Sequence, residues 1–172
     1  SKSGGYWHSK DLVDWTFVET NQIPTEDYAP TAIVIGDTIY FLASSFMQST
    51  IYKSTDPLSG KWSIAKEKLE KAVWDPALFL DDDGRLFLYW GVMKPIYGVE
   101  LDYKTDFNLV GELKVLIHPN IEKNGWVNRG DENKMTENDS FIEGYWMNNH
   151  EEKYYFNYAI QNTTLQRYPD VV

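Results

Sequence analysis

DPALFLDDDGRLFLYWG, residues 75–91, is an apolar run, a polar turn rich in Asp and Gly, and a second run rich in aromatics. Short β-prone runs on either side of such a turn are the signature of an antiparallel hairpin. The same pattern occurs twice more, as APTAIVIGDTIYFLASS at 29–45, turning at Gly36-Asp37, and as EGYWMNNHEEKYYFNYA at 143–159, turning at Asn149 to Glu152. A second hairpin pattern follows the first two, IYKSTDPLSGKWSIAKE at 51–67 and IYGVELDYKTDFNLVGE at 96–112. YWHSKDLVDWTFVE, residues 6–19, matches that second pattern, with Asp14-Trp15 where Lys61-Trp62 stands later. The repeating unit is therefore a four-stranded meander with a period of 46 residues between Ala29 and Asp75. That period and strand count predict a propeller blade. The fold class expected is all-β, a β-propeller of four-stranded antiparallel blades, of which about three fall within the chain.

The interval from Asp75 to Glu143 is longer, 68 residues, and the excess around Pro119 to Ser140 reads as an inserted loop. Helical periodicity is weak, and Ile64 to Val73 reads as a strand plus connector. The expected division is the outer half of a first blade at 1–27, blades at 28–70 and 71–115, the inserted loop at 116–140, and the start of a further blade at 141–172. Both ends cut across a repeat, so the expectation is a fragment of a larger protein. Such a fragment would leave blade edges open to self-association.

Composition narrows the function. With 172 residues, 42% hydrophobic and 16% aromatic, the chain has the means to bury a core. A net charge of -10 without a Lys/Arg cluster argues against nucleic acid as a partner. No run approaches the 18 apolar residues of a membrane span, so no membrane partner is expected. The absence of cysteine rules out disulfide and thiol chemistry but leaves the compartment open.

In a propeller the innermost strand of each blade lines a central channel, and its first residues converge at one mouth. The aligned positions are Ala29, Asp75 and Glu143, so two of three blades would present a carboxylate to one cavity. Paired carboxylates suit glycoside hydrolysis, in which one protonates the leaving oxygen and another activates water or attacks the anomeric carbon. A nearby charge or apolar wall keeps the acid protonated. Trp74, Trp90, Tyr145 and Trp146 are candidate walls. The plainer reading is that Asp75 makes a backbone hydrogen bond and Glu143 is a solvated strand start.

WDPALFLDDDGRLFLYWG and FIEGYWMNNHEEKYYFNYA, with SKDLVDW and YAPTAI upstream, resemble glycoside hydrolase family 43. That is a family of five-bladed propellers acting on arabinose- and xylose-containing polysaccharides, and the resemblance spans nearly the whole chain. It implies that Glu143 is the general acid and that Asp75 orients the acid and adjusts its pKa. The family's general base lies on the inner strand of the first blade, before this sequence begins; Asp11 and Asp14 belong to an outer hairpin turn. An inverting mechanism is implied, together with a secreted or periplasmic location.

Tyr28 and Phe46 are candidates to stack on a sugar ring, and Trp74, Trp90 and Tyr145 complete the expected substrate-binding set, against packing as the plainer reading of each. His8, His118 and His150 lack ligand spacing, and Asp81 to Gly84 lacks the remaining ligands of a calcium loop, so no metal and no cofactor are expected. The acidic stretch Gly130 to Asp139 reads as a solvated loop that could border the site. Two further readings stand beside the enzyme: a carbohydrate-binding propeller without catalysis, and a propeller used as a protein-interaction scaffold.

Overall fold

The computed structural model describes residues 4–92, 95–118, 142–160 and 170–171. Among them are thirteen strands, one 3-10 turn at Pro57–Ser59, and four antiparallel sheets. A two-stranded ribbon pairs β1 (Gly5–Ser9) with β2 (Trp15–Glu19). The next sheet runs in chain order, β3 (Thr31–Ile35), β4 (Thr38–Leu42), β5 (Ile51–Ser54) and β6 (Ser63–Lys66). The following sheet repeats that meander with β7 (Ala77–Leu80), β8 (Leu86–Trp90), β9 (Ile96–Asp102) and β10 (Asn108–Ile117). The last comprises β11 (Ile142–His150), β12 (Lys153–Ile160) and β13 (Asp170–Val171). These are successive propeller blades, as the repeats predict. Ile64 to Val73 is indeed a strand and a connector, and β10 runs on to Ile117. The rest of the expected inserted loop, with the acidic stretch Gly130 to Asp139, lies outside the described residues.

The predicted turns form for local reasons. Two residues, Gly36 and Asp37, link β3 to β4, with Gly36 at φ +60°. Glu151 and Glu152 link β11 to β12 at φ +50° and +59°, the left-handed pair that matches the twist of a two-residue hairpin. The turn at Asp81 to Arg85 is longer and is closed by paired backbone bonds: the Asp81 amide donates to Arg85 O and the Gly84 amide to Asp81 O, both at 2.9 Å.

Strand alternation sorts the second full blade's side chains onto two faces. Leu78, Leu86, Leu88 and Trp90 pack with Leu42, Ile51, Leu69 and Val73 against the preceding blade. Ala77, Tyr89 and Ile96 pack with Ile142, Tyr145 and Ile160 against the following one. A blade buried on both faces is held from both sides, at roughly 1.5–3 kcal/mol per buried Leu-sized side chain. The inner strands β3, β7 and β11 lie side by side with β7 in the middle. A cross-blade bond from the Leu78 amide to Thr31 Oγ1 (3.2 Å) fixes the offset of the first two.

Candidate active site

Because the inner strands are neighbours, the residues that lead into them share one concavity. A cavity of about 310 Å³ is lined from the three blades by Ala29 to Ala32, Asp75 to Ala77, and Gly144 to Trp146. Ala29, Asp75 and Gly144 share a positive φ, at +43°, +58° and +66°. The common backbone state marks them as the equivalent positions of the repeat. Matching by residue type had set Glu143 opposite Asp75, and the backbone corrects this by one residue: Gly144 faces Asp75, while Glu143 corresponds to Trp74 and Tyr28. The cause is a β-bulge. Glu143 pairs with Ala159 and Trp146 with Asn157, so β11 carries one extra residue between them, and glycine is the residue that takes the left-handed turn of such a bulge without cost.

Asp75 is the carboxylate at the centre of this arrangement. It is only 8% exposed. Its amide donates to Ser44 Oγ at 2.9 Å, and its Oδ2 accepts the Gly144 amide at 2.5 Å. Burial holds its carboxyl above the ordinary 3.8, and the Gly144 hydrogen bond opposes that rise only in part. Glu143 is half-buried and joined to Gly144 by one peptide bond, so a second carboxylate-bearing residue adjoins the amide that Asp75 grips.

Three aromatic residues stand beside the cavity-lining positions. Trp74 immediately precedes Asp75, and Tyr28 immediately precedes Ala29. Phe46 stacks on Trp74 with ring centres 3.7 Å apart and planes 18° from parallel, and Tyr28 tilts against the same indole at 6.2 Å. Phe46 and Tyr28 are 76% and 74% exposed, so each offers a free ring face to solvent. The structure thus gathers Tyr28, Phe46, Trp74 and Asp75, with Glu143 alongside.

A model of the glycosyl hydrolases family 43 matches residues 3–171. The chain belongs to this family. Among solved structures, this family 43 chain is similar to an endo-1,4-β-xylanase from Bacteroides thetaiotaomicron, with a TM-score of 0.72 and 19% identity over 99% of this chain and 60% of that one. It is similar to a thermostable family 43 glycoside hydrolase, with a TM-score of 0.66 and 22% identity over 90% and 55%. It is also similar to a xylan β-1,4-xylosidase from Bacillus halodurans, with a TM-score of 0.59 and 21% identity over 90% and 31%. At such identities the likeness concerns the fold, and the chain spans between about a third and three-fifths of the length of these structures. No curated protein matches the sequence.

Two of the expected substrate-binding residues of this family 43 chain present no open ring face. Trp90, on β8, points into the cluster between blades with 7% exposure and tilts against Tyr97. A ring enclosed on that side has no face for a sugar, and Trp90 is a core residue. Tyr145 lines the cavity but is 5% exposed; its ring stacks on Phe156 and its hydroxyl donates to the carbonyls of Gly91 and Ile142. It acts as a post rather than a stacking surface, because Gly91 in turn donates its amide to Trp74 O at 3.0 Å. Residue type alone could not separate these rings from Trp74, since the difference lies in which face of the blade each one occupies.

Ser44 and Gly144 escaped sequence reasoning. The only signal was a pair of serines ending an apolar strand and a glycine after Glu143. A second cavity of about 300 Å³, between the β1–β2 ribbon and the following blade, is lined by Tyr6, Ile23, Pro30, Phe41 and Trp62 among others. Its one titratable side chain, Tyr6, is engaged: its hydroxyl donates to Pro57 O and accepts from Trp62 Nε1. It has no groups for acid–base work. Among the described residues, no cluster of His, Cys, Asp or Glu could hold a metal ion, and no helix is long and apolar enough to cross a membrane.

Proposed function

We propose that this chain forms part of an inverting glycosidase of xylose- or arabinose-containing plant polysaccharides or oligosaccharides. The observation that carries the reading is the buried Asp75 carboxylate bonded to the Gly144 amide, beside Glu143 and under an exposed aromatic platform. Glu143 is the general acid and protonates the departing glycosidic oxygen. Asp75 positions it: the 2.5 Å bond to Gly144 ties the carboxylate to the backbone that carries Glu143, and its charge, where present, disfavours ionisation of a neighbouring acid. Phe46 and Tyr28 present flat apolar faces against which a pyranose or furanose ring can stack, with Trp74 backing both.

Inversion needs a second carboxylate on the opposite side of the sugar, roughly 6.5–9.5 Å from the acid, to activate a water. Asp75 is the one carboxylate among the described residues lining the cavity. Asp11, the carboxylate nearest the start of the chain, is committed to a turn, where Oδ1 accepts the amides of Val13 and Asp14. In this reading the base is supplied from outside the described residues, as the resemblance implies. Polymeric substrates of this kind are met outside the cytoplasm, which fits a secreted or periplasmic enzyme.

The test is Glu143→Gln in the full-length enzyme. Turnover of xylosides and arabinofuranosides with poor leaving groups is expected to fall by roughly 10²–10⁴-fold, the range of general-acid catalysis, while aryl glycosides with good leaving groups lose far less. Unchanged rates on unactivated substrates would remove Glu143 from the acid's role and the glycosidase reading with it.

A further inference from the structure

Beside its carboxylates and rings, the same site contains a buried serine hydroxyl. Ser44 ends the apolar run of β4 and is 4% exposed. Buried hydroxyls are costly unless they are hydrogen-bonded, and this one is: Ser44 Oγ accepts the Asp75 amide at 2.9 Å, while the Ser44 amide donates to Tyr28 O at 3.1 Å. One residue of the preceding blade thereby holds the approaches to both inner strands. Its neighbour Ser45 adds a bond from its own amide to Val73 O at 2.8 Å.

The conformation held in this way is an unfavourable one. Asp75 has φ +58°, a region uncommon for non-glycine residues, which Asp enters more readily than most but which still needs support from its surroundings. At that φ the Asp75 amide lies outside the β7 ladder, which begins at Ala77, and it would be a buried orphan without the serine oxygen. The consequence for chemistry is directional. The backbone at Asp75 sets where its carboxylate points, and the carboxylate reaches the Gly144 amide next to Glu143.

We propose that Ser44 is a positioning residue, which fixes Asp75 in its left-handed conformation and through Asp75 and Gly144 aligns Glu143 with the leaving oxygen. The inference rests on the reading of Glu143 as the general acid. It extends the site into the preceding blade, so that acid placement depends on docking between blades and not on β7 and β11 alone.

A built-in control separates alignment from packing. Ser49 is 1% exposed, and its Oγ accepts the Val73 amide at 2.9 Å. This is the same kind of bond two residues upstream of Asp75, without contact with it. In the full-length enzyme, Ser44→Ala is expected to lower kcat about tenfold on an unactivated xyloside or arabinofuranoside and less than about threefold on the nitrophenyl glycoside, whose leaving group needs little protonation. Ser49→Ala is expected to change both substrates equally, and Ser44→Thr, which keeps the oxygen, to recover most of the loss. Should Ser44→Ala not fold, Ser44→Cys keeps the volume with a weak acceptor and is expected to give the same split between substrates. Equal losses on the two substrates in Ser44→Ala or Ser44→Cys, or no loss in Ser44→Ala, overturn the proposal. Glu143→Gln assayed alongside tells this failure from that of the glycosidase reading: loss of unactivated turnover there with none in the Ser44 variants sinks only the role of Ser44.

Discussion

Strand β7 has a buried aspartate at each end, and the two are treated in opposite ways. Asp81, 6% exposed, sits at the turn end. Both of its oxygens accept the Tyr154 hydroxyl at 2.9 Å, Oδ1 also accepts the Asp82 amide at 2.8 Å, and Arg85 lies at 3.4 Å. The Asn149 side chain donates to neighbouring Asp82 at 2.7 Å, so the turns of adjacent blades are pinned together. Asp75, at the cavity end, is about as buried but accepts one backbone amide. Its carboxyl is held high by burial. A carboxylate surrounded by donors stabilises a junction between blades, whereas one left under-compensated stays available to influence a neighbouring proton. The charge at Asp81 is felt nearby: burial first, and then that charge, push the Tyr89 hydroxyl up to about 12.

This contrast can be broken experimentally. The largest effect expected is on catalysis at the cavity end, where Asp75→Asn in the full-length enzyme should lower kcat on unactivated glycosides by about 10²-fold, with thermal stability retained because the amide oxygen can still accept from Gly144. Next comes Asp81→Ala, expected to cost about 1 kcal/mol of stability by removing the acceptor shared by the Tyr154 hydroxyl and the Asp82 amide. Urea unfolding measures it, and a loss at Asp75 equal to that at Asp81 would erase the distinction. Tyr154→Phe removes one donor from an exposed ring whose hydroxyl water can also serve, and is expected to cost less than Asp81→Ala.

The smallest effect is a pH dependence at the cavity end. Because burial raises the Asp75 pKa above its unfolded 3.8, the native state binds that proton more tightly than the unfolded chain does. Its contribution to stability is therefore fullest below 3.8 and is lost as pH rises through the raised value. Asp75→Asn cannot lose it, so the variant's stability relative to the unmodified protein should increase from acidic to neutral pH. A flat or falling difference would mean that burial does not hold the Asp75 carboxyl high.

Much of the architecture was readable because it is local. Hairpin turns at Gly36-Asp37, at Asp81 to Gly84 and at Glu151-Glu152 follow from turn chemistry, and the blade follows from their recurrence; Asn149 and His150 of the expected third turn instead extend β11. The candidate site was partly readable: Asp75 stood out as a carboxylate opening an inner strand, and Tyr28, Phe46 and Trp74 as rings flanking it. Trp90 and Tyr145 could not be told from them, since Trp90 and Trp74 are the same residue type near an inner-strand end and differ only in what the neighbouring blade places over them.

Strand alternation and turn chemistry act over a few residues, so the all-β class and the repeated four-stranded unit were legible in the chain alone. The packed structure was needed to see that a bulge in β11 puts Gly144, rather than Glu143, opposite Asp75. It alone showed that Ser44 of the preceding blade holds Asp75, and that one tryptophan is buried while another backs an open platform. Those outcomes depend on how blades pack on one another. Burial and hydrogen bonding between residues 31 or 69 positions apart leave no local pattern in the chain.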